Sequence, residues 1–542
     1  MNRIGSTRHH PEPTTSPAAG PDSLRNAKLG AWLVIGASAL LLLPGLGLYP
    51  LFNDDEGAFS EATREILQSG DWLSTTLNGA PRYDKPILIY WLQALSVQSL
   101  GLNEFALRLP SALAAVAWIL AIVRFAMPRF GSASGLLAGW IGATSLGVLA
   151  MGRAATADAL LNALIVATMF DLWRYLESLE RGAVTDHAAL RRTYLWMALG
   201  LLTKGPIAAL IPAAVSLGYC LSVRRWRDWM RAVSNPLGWL ILLAVAAPWY
   251  LAQWHIHGRE FVDGFLVRHN LDRFHGTLEG HGGSLFYYVV LAPALLLPWS
   301  GLLWQAARRL PRDWSEPLTR YLLLWFAFVF VFFSLSGTKL PHYILYGLTP
   351  VFLLLARRMR NAGTALNLLF LPCALLLVLL ALPLALPWWV ETHAGSIPAL
   401  YAAQARRATA LAAAPYYLVT ASCALAAWGA SGYRPWPHWR RAIAASAALA
   451  IALGFAFAPW IGAVLQGPVK DAAGIARQRP EPAVQWEFSA PSFSVYRRQI
   501  TPSRPPMPGE LAITRVDRLD PRAPVDVLFE EGGVALVRRR DE

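Results

Sequence analysis

The chain has 542 residues, of which 55% are hydrophobic and 15% charged, with a formal net charge of +14. A soluble protein is about a quarter charged, so a single soluble globule is excluded. Nucleic-acid binding is excluded too: the 48 basic residues are nearly all Arg, no stretch is basic throughout, and no recognition motif is present. The mean hydropathy of +0.37 marks a membrane protein. Cys220, Cys373 and Cys423 sit far apart in apolar runs and make neither a disulfide framework nor a zinc spacing.

Residues 1–28 are polar and rich in Pro, Ser and Thr, the composition of a disordered tail. The apolar run from Leu29 to Leu48 has the length of about 20 residues that a bilayer span needs. No small-residue cleavage site follows it, so it stays as an anchor. Further apolar runs lie near 108–127, 132–151, 155–173, 237–254, 284–306, 319–335, 342–356, 364–390, 411–430 and 442–464. Arginines cluster at 124–129, 174–192, 224–231, 308–320, 357–360 and 434–441. Positive charge in short loops marks the cytoplasmic side. These clusters take every second loop if 195–222 crosses twice, which gives about 13 spans with the N-terminus inside and the C-terminus outside.

The 195–222 stretch is short for two crossings. Its length as helix is about 42 Å, against two layers of about 30 Å each, and Lys204-Gly205-Pro206 interrupts its middle. A single crossing would bury Lys204 near the midplane at a cost of about 2.5–3.5 kcal/mol. A tight hairpin with Lys204 at its tip, facing a polar cavity, avoids that cost.

Three segments then lie outside the membrane. The loop 50–107 is long enough to be functional. Asn53-Asp54 can cap a helix running to Gln68, closed by Gly70. Its apolar residues Phe59, Ala62, Ile66 and Leu67 predict that it lies on the membrane surface. A second helix can start at Pro86, with Leu88, Trp91, Leu92 and Leu95 as its stripe. The segment 255–283 carries His255, His257, His269, His275 and His281 without a tight ligand spacing. In the tail 467–542, alternating runs (Val484–Phe488, Phe493–Tyr496, Leu511–Val516, Val525–Phe529, Val534–Val537) follow a helical stretch and predict a small α/β domain.

Asp54-Asp55-Glu56 follows the first span directly, as either a wet helix N-terminus or a charged site. Asp158 stands in an apolar setting, where an acid either lines a cavity or pairs, Arg153 being the nearest cation in sequence. Lys is rare, five residues in all, and Lys85, Lys204 and Lys339 each sit beside a Pro near the outer face. Three ammonium groups facing one cavity would bind a phosphate; snorkelling to the interface is the alternative.

These elements in order are Asp55-Glu56-Gly57, Tyr83-Asp84-Lys85-Pro86, Asp158, Leu202-Thr203-Lys204-Gly205-Pro206, His269-Asn270-Leu271-Asp272-Arg273-Phe274 and Ser336-Gly337-Thr338-Lys339-Leu340-Pro341-His342-Tyr343. Together they resemble the bacterial aminoarabinose transferases and their protein mannosyltransferase-like relatives, which are GT-C glycosyltransferases. The resemblance implies a polytopic all-α membrane domain over 29–466, with about 13 helices, and a periplasmic α/β domain over 467–542. It implies inverting transfer of a sugar from a polyprenyl (undecaprenyl) phosphate donor to lipid A, lipopolysaccharide or another envelope lipid or glycan. It implies that the transfer takes place at the periplasmic face of the inner membrane, by a monomer and without a nucleotide cofactor. By position, Asp55, Asp158 and Glu56 correspond to the catalytic acids. Lys85, Lys204 and Tyr343, with Lys339, Tyr83, Arg153 and Arg273, correspond to the donor-phosphate and substrate set. Asp84 and His269 match a divalent-metal pair (Zn, Mg or Mn). The chain departs from the family in Asp84, where Glu is usual, and in Ala58-Phe59, where Arg-Tyr is usual.

Three other activities fit a charged outer cavity: protein O-glycosyl transfer, phosphotransfer, and non-enzymatic flipping of a lipid-linked sugar. Transporters tend towards inverted repeats and broken midplane helices, whereas here the polar residues gather at one membrane face.

Overall fold

Apolar runs fold as helices because a bilayer offers the backbone no hydrogen-bond partners other than its own. The structure, a computed structural model, describes residues 21–540 apart from 183, 273, 275, 277–281, 309–312, 360–365, 394–396 and 521. Six of its helices are long and apolar enough to cross a membrane, and up to nine if each of three bent pairs counts as one span. The first helix, Pro21–Leu42, begins before the Leu29 expected from the apolar run. Aromatic side chains fill the space between helices: Phe125 stacks on Phe170 at 3.8 Å, and buried Trp118 and Trp325 tie distant segments through Thr349 Oγ1 and the Tyr346 carbonyl.

The Lys204 region is a hairpin. Helices His187–Lys204 and Ile207–Ser222 meet at Gly205, whose φ of 81° suits a residue without a Cβ. A Cβ on Gly200 would stand 2.6 Å from that of Ala208, so the two arms touch just below the turn. The length deficit shrinks because the first arm starts at His187, not at residue 195.

The outer loop differs from the expectation. After the first helix the chain makes a wide turn, Asn53–Gly57, closed by the Gly57 N–H on the Phe52 carbonyl at 2.8 Å. Helix Ala58–Ser69 follows and ends on Gly70 in the left-handed region, as expected. It does not lie on the membrane surface, however. Ser60, Glu61, Thr63, Arg64 and Glu65 are buried along with Phe59, Ala62 and Ile66, so every face is covered. Its buried charges are satisfied internally: Arg64 forks onto Glu61 at 2.6 and 2.8 Å, while Glu65 holds the hairpin β1 (Thr76–Leu77)/β2 (Ala80–Pro81) through Thr76 and Gly79. The next helix, Leu88–Leu100, turns Ile89, Tyr90, Gln93, Ala94 and Val97 inward; of the predicted stripe, Leu88 and Trp91 are half-buried against the core and only Leu95 is exposed.

The last long helix, His438–Arg477, has 40 residues. At roughly 60 Å it outruns a bilayer core and carries the C-terminal domain. There, β3 (Ala483–Gln485), β4 (Leu511–Arg515), β5 (Val525–Glu531) and β6 (Val534–Arg539) form a sheet of order β3-β4-β6-β5. The β3/β4 pair is parallel and the other two are antiparallel. Leu511, Ile513, Leu536 and Phe493 pack on Val469, Ala472 and Ala476 of the long helix. The run Phe493–Tyr496, expected as a strand, belongs to helix Pro491–Arg497. Pro491 suits a first helical turn, and the Gln485 side chain accepts the Ala490 N–H just before it.

Candidate active site

Glu56 anchors the Asn53–Gly57 turn. Its carboxylate takes both forks of Arg108, at 2.7 and 2.8 Å, and the N–H groups of Phe52 and Ala155, at 2.9 and 2.7 Å. Both residues are buried. Arg108 also donates to the carbonyls of Leu46, Tyr49 and Pro50 and lies 3.9 Å over the Tyr49 ring. All four acceptor positions of Glu56 are thus used: it lines the same cavity as Asp55 and is the post on which the turn is built.

With Glu56 turned inward, Asp54 and Asp55 face outward. Asp55 lines a cavity of ≈ 310 Å³ with Asp158 and Arg153, walled by apolar groups including Leu149, Leu453, Phe457 and Ile461. The crowded apolar wall raises the Asp55 pKa, and the charge of Asp158 adds to this, against the pull of Lys204 and Lys85.

Asp158 opens helix Asp158–Glu180. It does not pair with Arg153. Lys204 reaches it at 2.5 Å, Tyr346 donates its hydroxyl at 2.7 Å, and His342 Nε2 stands 3.5 Å away. Lys204 in turn lies 2.9 Å from the Tyr346 hydroxyl and 5.4 Å from the centre of the buried Tyr343 ring. Arg153 donates through Nη1 and Nη2 to the carbonyls of Leu41, Pro44 and Gly454, tying the first helix to the last. It touches the cavity but acts as a structural tie.

Lys85 contacts Asp84 at 2.5 Å, as does Arg82 at 3.0 Å. His269 comes to 3.2 Å from the same carboxylate, so the expected pair meets. Arg82 and Lys85 share the Asp84 carboxylate with His269, and among the described residues no third His, Cys, Asp or Glu joins the pair as an ion site. Tyr83 packs edge-on against His257 and Phe261. Lys339 is buried and donates to Ser336 O of its own loop at 2.6 Å. Arg273, His275 and His281 lie outside the described residues.

The structure therefore gathers Asp55, Asp158, Lys204 and Tyr343, with Lys85 and Asp84 within electrostatic reach. Sequence reasoning missed Arg108, Arg82, His342 and Tyr346. The signal for Tyr346 was its spacing of three from Tyr343, which puts both on one side of the tight helix Pro341–Gly347. Arg108 gave none, since an Arg at the end of an apolar run reads as interfacial.

A profile for dolichyl-phosphate-mannose-protein mannosyltransferases matches residues 84–251. An undecaprenyl phosphate-α-4-amino-4-deoxy-L-arabinose arabinosyl transferase of Pseudomonas paraeruginosa is 31% identical over 433 residues, 76% of this chain and 72% of the relative. Its counterpart in Aeromonas salmonicida is 32% identical over 61% of this chain and 60% of the relative. The crystal structure of ArnT from Cupriavidus metallidurans bound to undecaprenyl phosphate superposes with a TM-score of 0.74 at 21% identity, covering 93% of this chain and 97% of that one. That likeness shows a shared fold. On the first relative's identity and coverage, the chain belongs to the family of undecaprenyl phosphate-aminoarabinose arabinosyl transferases, membrane glycosyltransferases of GT-C type.

Proposed function

We propose that the protein transfers a sugar from a polyprenyl-phosphate donor, of the undecaprenyl phosphate-aminoarabinose kind named for its relatives, to an oxygen of lipid A or another envelope acceptor. The observation that carries this reading is the placement of Asp55 and Asp158. They stand between the Lys204 and Lys85 cations and an apolar cavity that neither lysine lines. The donor phosphate belongs on the cation side, where Lys204 exchanges its long 3.3 Å contact with His342 for a phosphate oxygen. An acylated acceptor belongs in the apolar cavity.

The acceptor oxygen attacks the anomeric carbon from the face opposite the phosphate. The carbon–oxygen bond to the phosphate breaks, polyprenyl phosphate leaves with both electrons, and the configuration inverts. Lys204 and Lys85 stabilise the charge that develops on the leaving oxygen. Asp55 takes the acceptor proton, whether from a hydroxyl or from a phosphate monoester, whose second pKa is about 6. Asp158 is a positioning residue: its carboxylate is committed to Lys204 and Tyr346 and holds the ammonium in place.

The topology proposed is 13 spans. The four helices Pro21–Leu42, His187–Lys204, Ile207–Ser222 and Leu348–Met359 join the nine that length and composition support. The protein acts as a monomer of the bacterial inner membrane, with the N-terminus cytoplasmic and the C-terminal domain periplasmic. The reading is tested by supplying purified protein with radiolabelled undecaprenyl phosphate-aminoarabinose and following label into lipid A, protein or the opposite leaflet. Label on lipid A supports it. Label on protein moves the acceptor to a hydroxyl, and label that only changes leaflet makes the protein a flippase.

A further inference from the structure

The C-terminal domain meets the membrane domain at the Asp55 turn itself. Helix Pro491–Arg497 lies across residues 51–57 and touches both sides of the turn. Before it, the Tyr496 hydroxyl accepts the Leu51 N–H at 2.7 Å and donates to Glu104 at 3.1 Å. Lys470, from the long helix that carries the domain, reaches the same Glu104 oxygen at 2.6 Å. Within the turn, Ser492 donates its hydroxyl to Asn53 Oδ1. After it, a Cβ on Gly57 would stand 2.7 Å from the Ser492 backbone nitrogen, so the two backbones are in direct contact. Two residues further on, Ser494 donates its hydroxyl to Asn78 Oδ1 at the tip of the β1/β2 hairpin at 2.8 Å. Ser492 and Ser494 are fully buried, and Asn53 is nearly so.

The Arg108–Glu56 pair fixes the underside of the turn, and these contacts fix its top. We propose that helix Pro491–Arg497 is part of the transfer machinery: Ser492 and Tyr496 are positioning residues that hold the Asp55 carboxylate at its working distance from the acceptor. The chemistry is suited to this. A five-residue turn held from one side only, at Glu56, leaves the neighbouring Asp55 free to shift. A displacement of about 1 Å at a reacting group costs roughly 10²-fold in rate. Hydroxyl-to-backbone and hydroxyl-to-amide bonds in a buried seam are short-range and directional, so they constrain position without adding charge beside the carboxylate.

The inference rests on Asp55 as the base, and its test separates the two claims. Ser492→Ala and Tyr496→Phe remove single hydroxyls and keep side-chain volume. In the full-length protein, assayed with undecaprenyl phosphate-aminoarabinose and lipid A, the paired variant should lose about 10–100-fold in kcat. The donor KM should stay at its wild-type value; the melting temperature falls with the lost buried hydrogen bonds, so rates are compared well below it. Gly57→Ala, which pushes the turn off the helix, should do the same or worse. In an Asp55→Asn background the paired variant should cause no further loss, because both routes act through one carboxylate. Wild-type kcat in the paired variant, with Asp55→Asn inactive, overturns the positioning role and leaves the base assignment standing. A loss of equal size in the Asp55→Asn background also overturns it. Full activity of Asp55→Asn alone overturns the base assignment and the inference with it.

Discussion

At the residue scale, the site is a division of labour among neighbouring acids that look alike in sequence. Asp55 is open to the cavity, Glu56 is saturated by Arg108 and two backbone N–H groups, and Asp158 is neutralised by Lys204 and Tyr346. Asp55→Asn should therefore lower kcat by about 10²–10⁴-fold, with the larger loss on a hydroxyl acceptor. A variant at wild-type rate would contradict its role. Because the Asp55 pKa is raised, its proton returns at a higher pH than an ordinary Asp allows. The acid limb of kcat/KM should thus lie above the usual carboxylate value of about 3.9, and a limb at or below that value would contradict the environment described. Asp158→Asn breaks a buried pair and should destabilise the protein by about 3–5 kcal/mol. Tyr346→Phe removes one hydrogen bond to a charged group and should cost about 1.5–3 kcal/mol. Thermal unfolding in detergent should rank the two in that order. Residue identity alone could not separate Asp55 from Glu56, because the difference lies in Arg108, which approaches from 52 residues away.

At the scale of elements, the hairpin at Lys204 was legible from charge parity: loops on both sides are basic, so the chain had to return. Gly205 is what lets it. With φ at 81° and a Phe265 ring carbon 2.6 Å from where a Cβ would stand, Gly205→Ala should cost about 1–3 kcal/mol in strain. It should also tilt Lys204 away from Asp158, lowering melting temperature and kcat together. A neutral outcome in both would contradict the packed turn. Helix Ala58–Ser69 was legible at its end, from Gly70, but not at its start, where Asn53–Gly57 forms a wide turn in place of the expected cap, and not in setting. Its apolar residues read as one membrane-facing side, while the polar ones are covered by partners from other segments. The Phe493–Tyr496 run failed as a strand for a similar reason. Short apolar runs do not distinguish strand from helix by periodicity, and Pro491 with Gln485 decides for helix.

At the scale of the whole molecule, the proposed 13-span topology makes the net charge of +14 an orientation signal: it puts the arginine clusters in alternate loops and the few acids and lysines of the site at the opposite face. A cysteine placed at exposed Met507 in the C-terminal domain should react with a membrane-impermeant thiol reagent in spheroplasts; protection until the membrane is broken would invert the topology. The helical character of the long apolar runs and the small C-terminal sheet followed from apolar runs and alternation alone. The seam between that domain and the Asp55 turn did not, because it joins residues more than 400 positions apart. The central claim is sugar transfer at the junction of a cation cluster and an apolar cavity, driven through Asp55. It is tested most directly by mass spectrometry of lipid A incubated with undecaprenyl phosphate-aminoarabinose and either wild-type protein or Asp55→Asn. The account predicts a sugar-sized mass gain with wild type and a rate about 100-fold lower or less with the variant. Equal product from both, or none from the wild type, would contradict it.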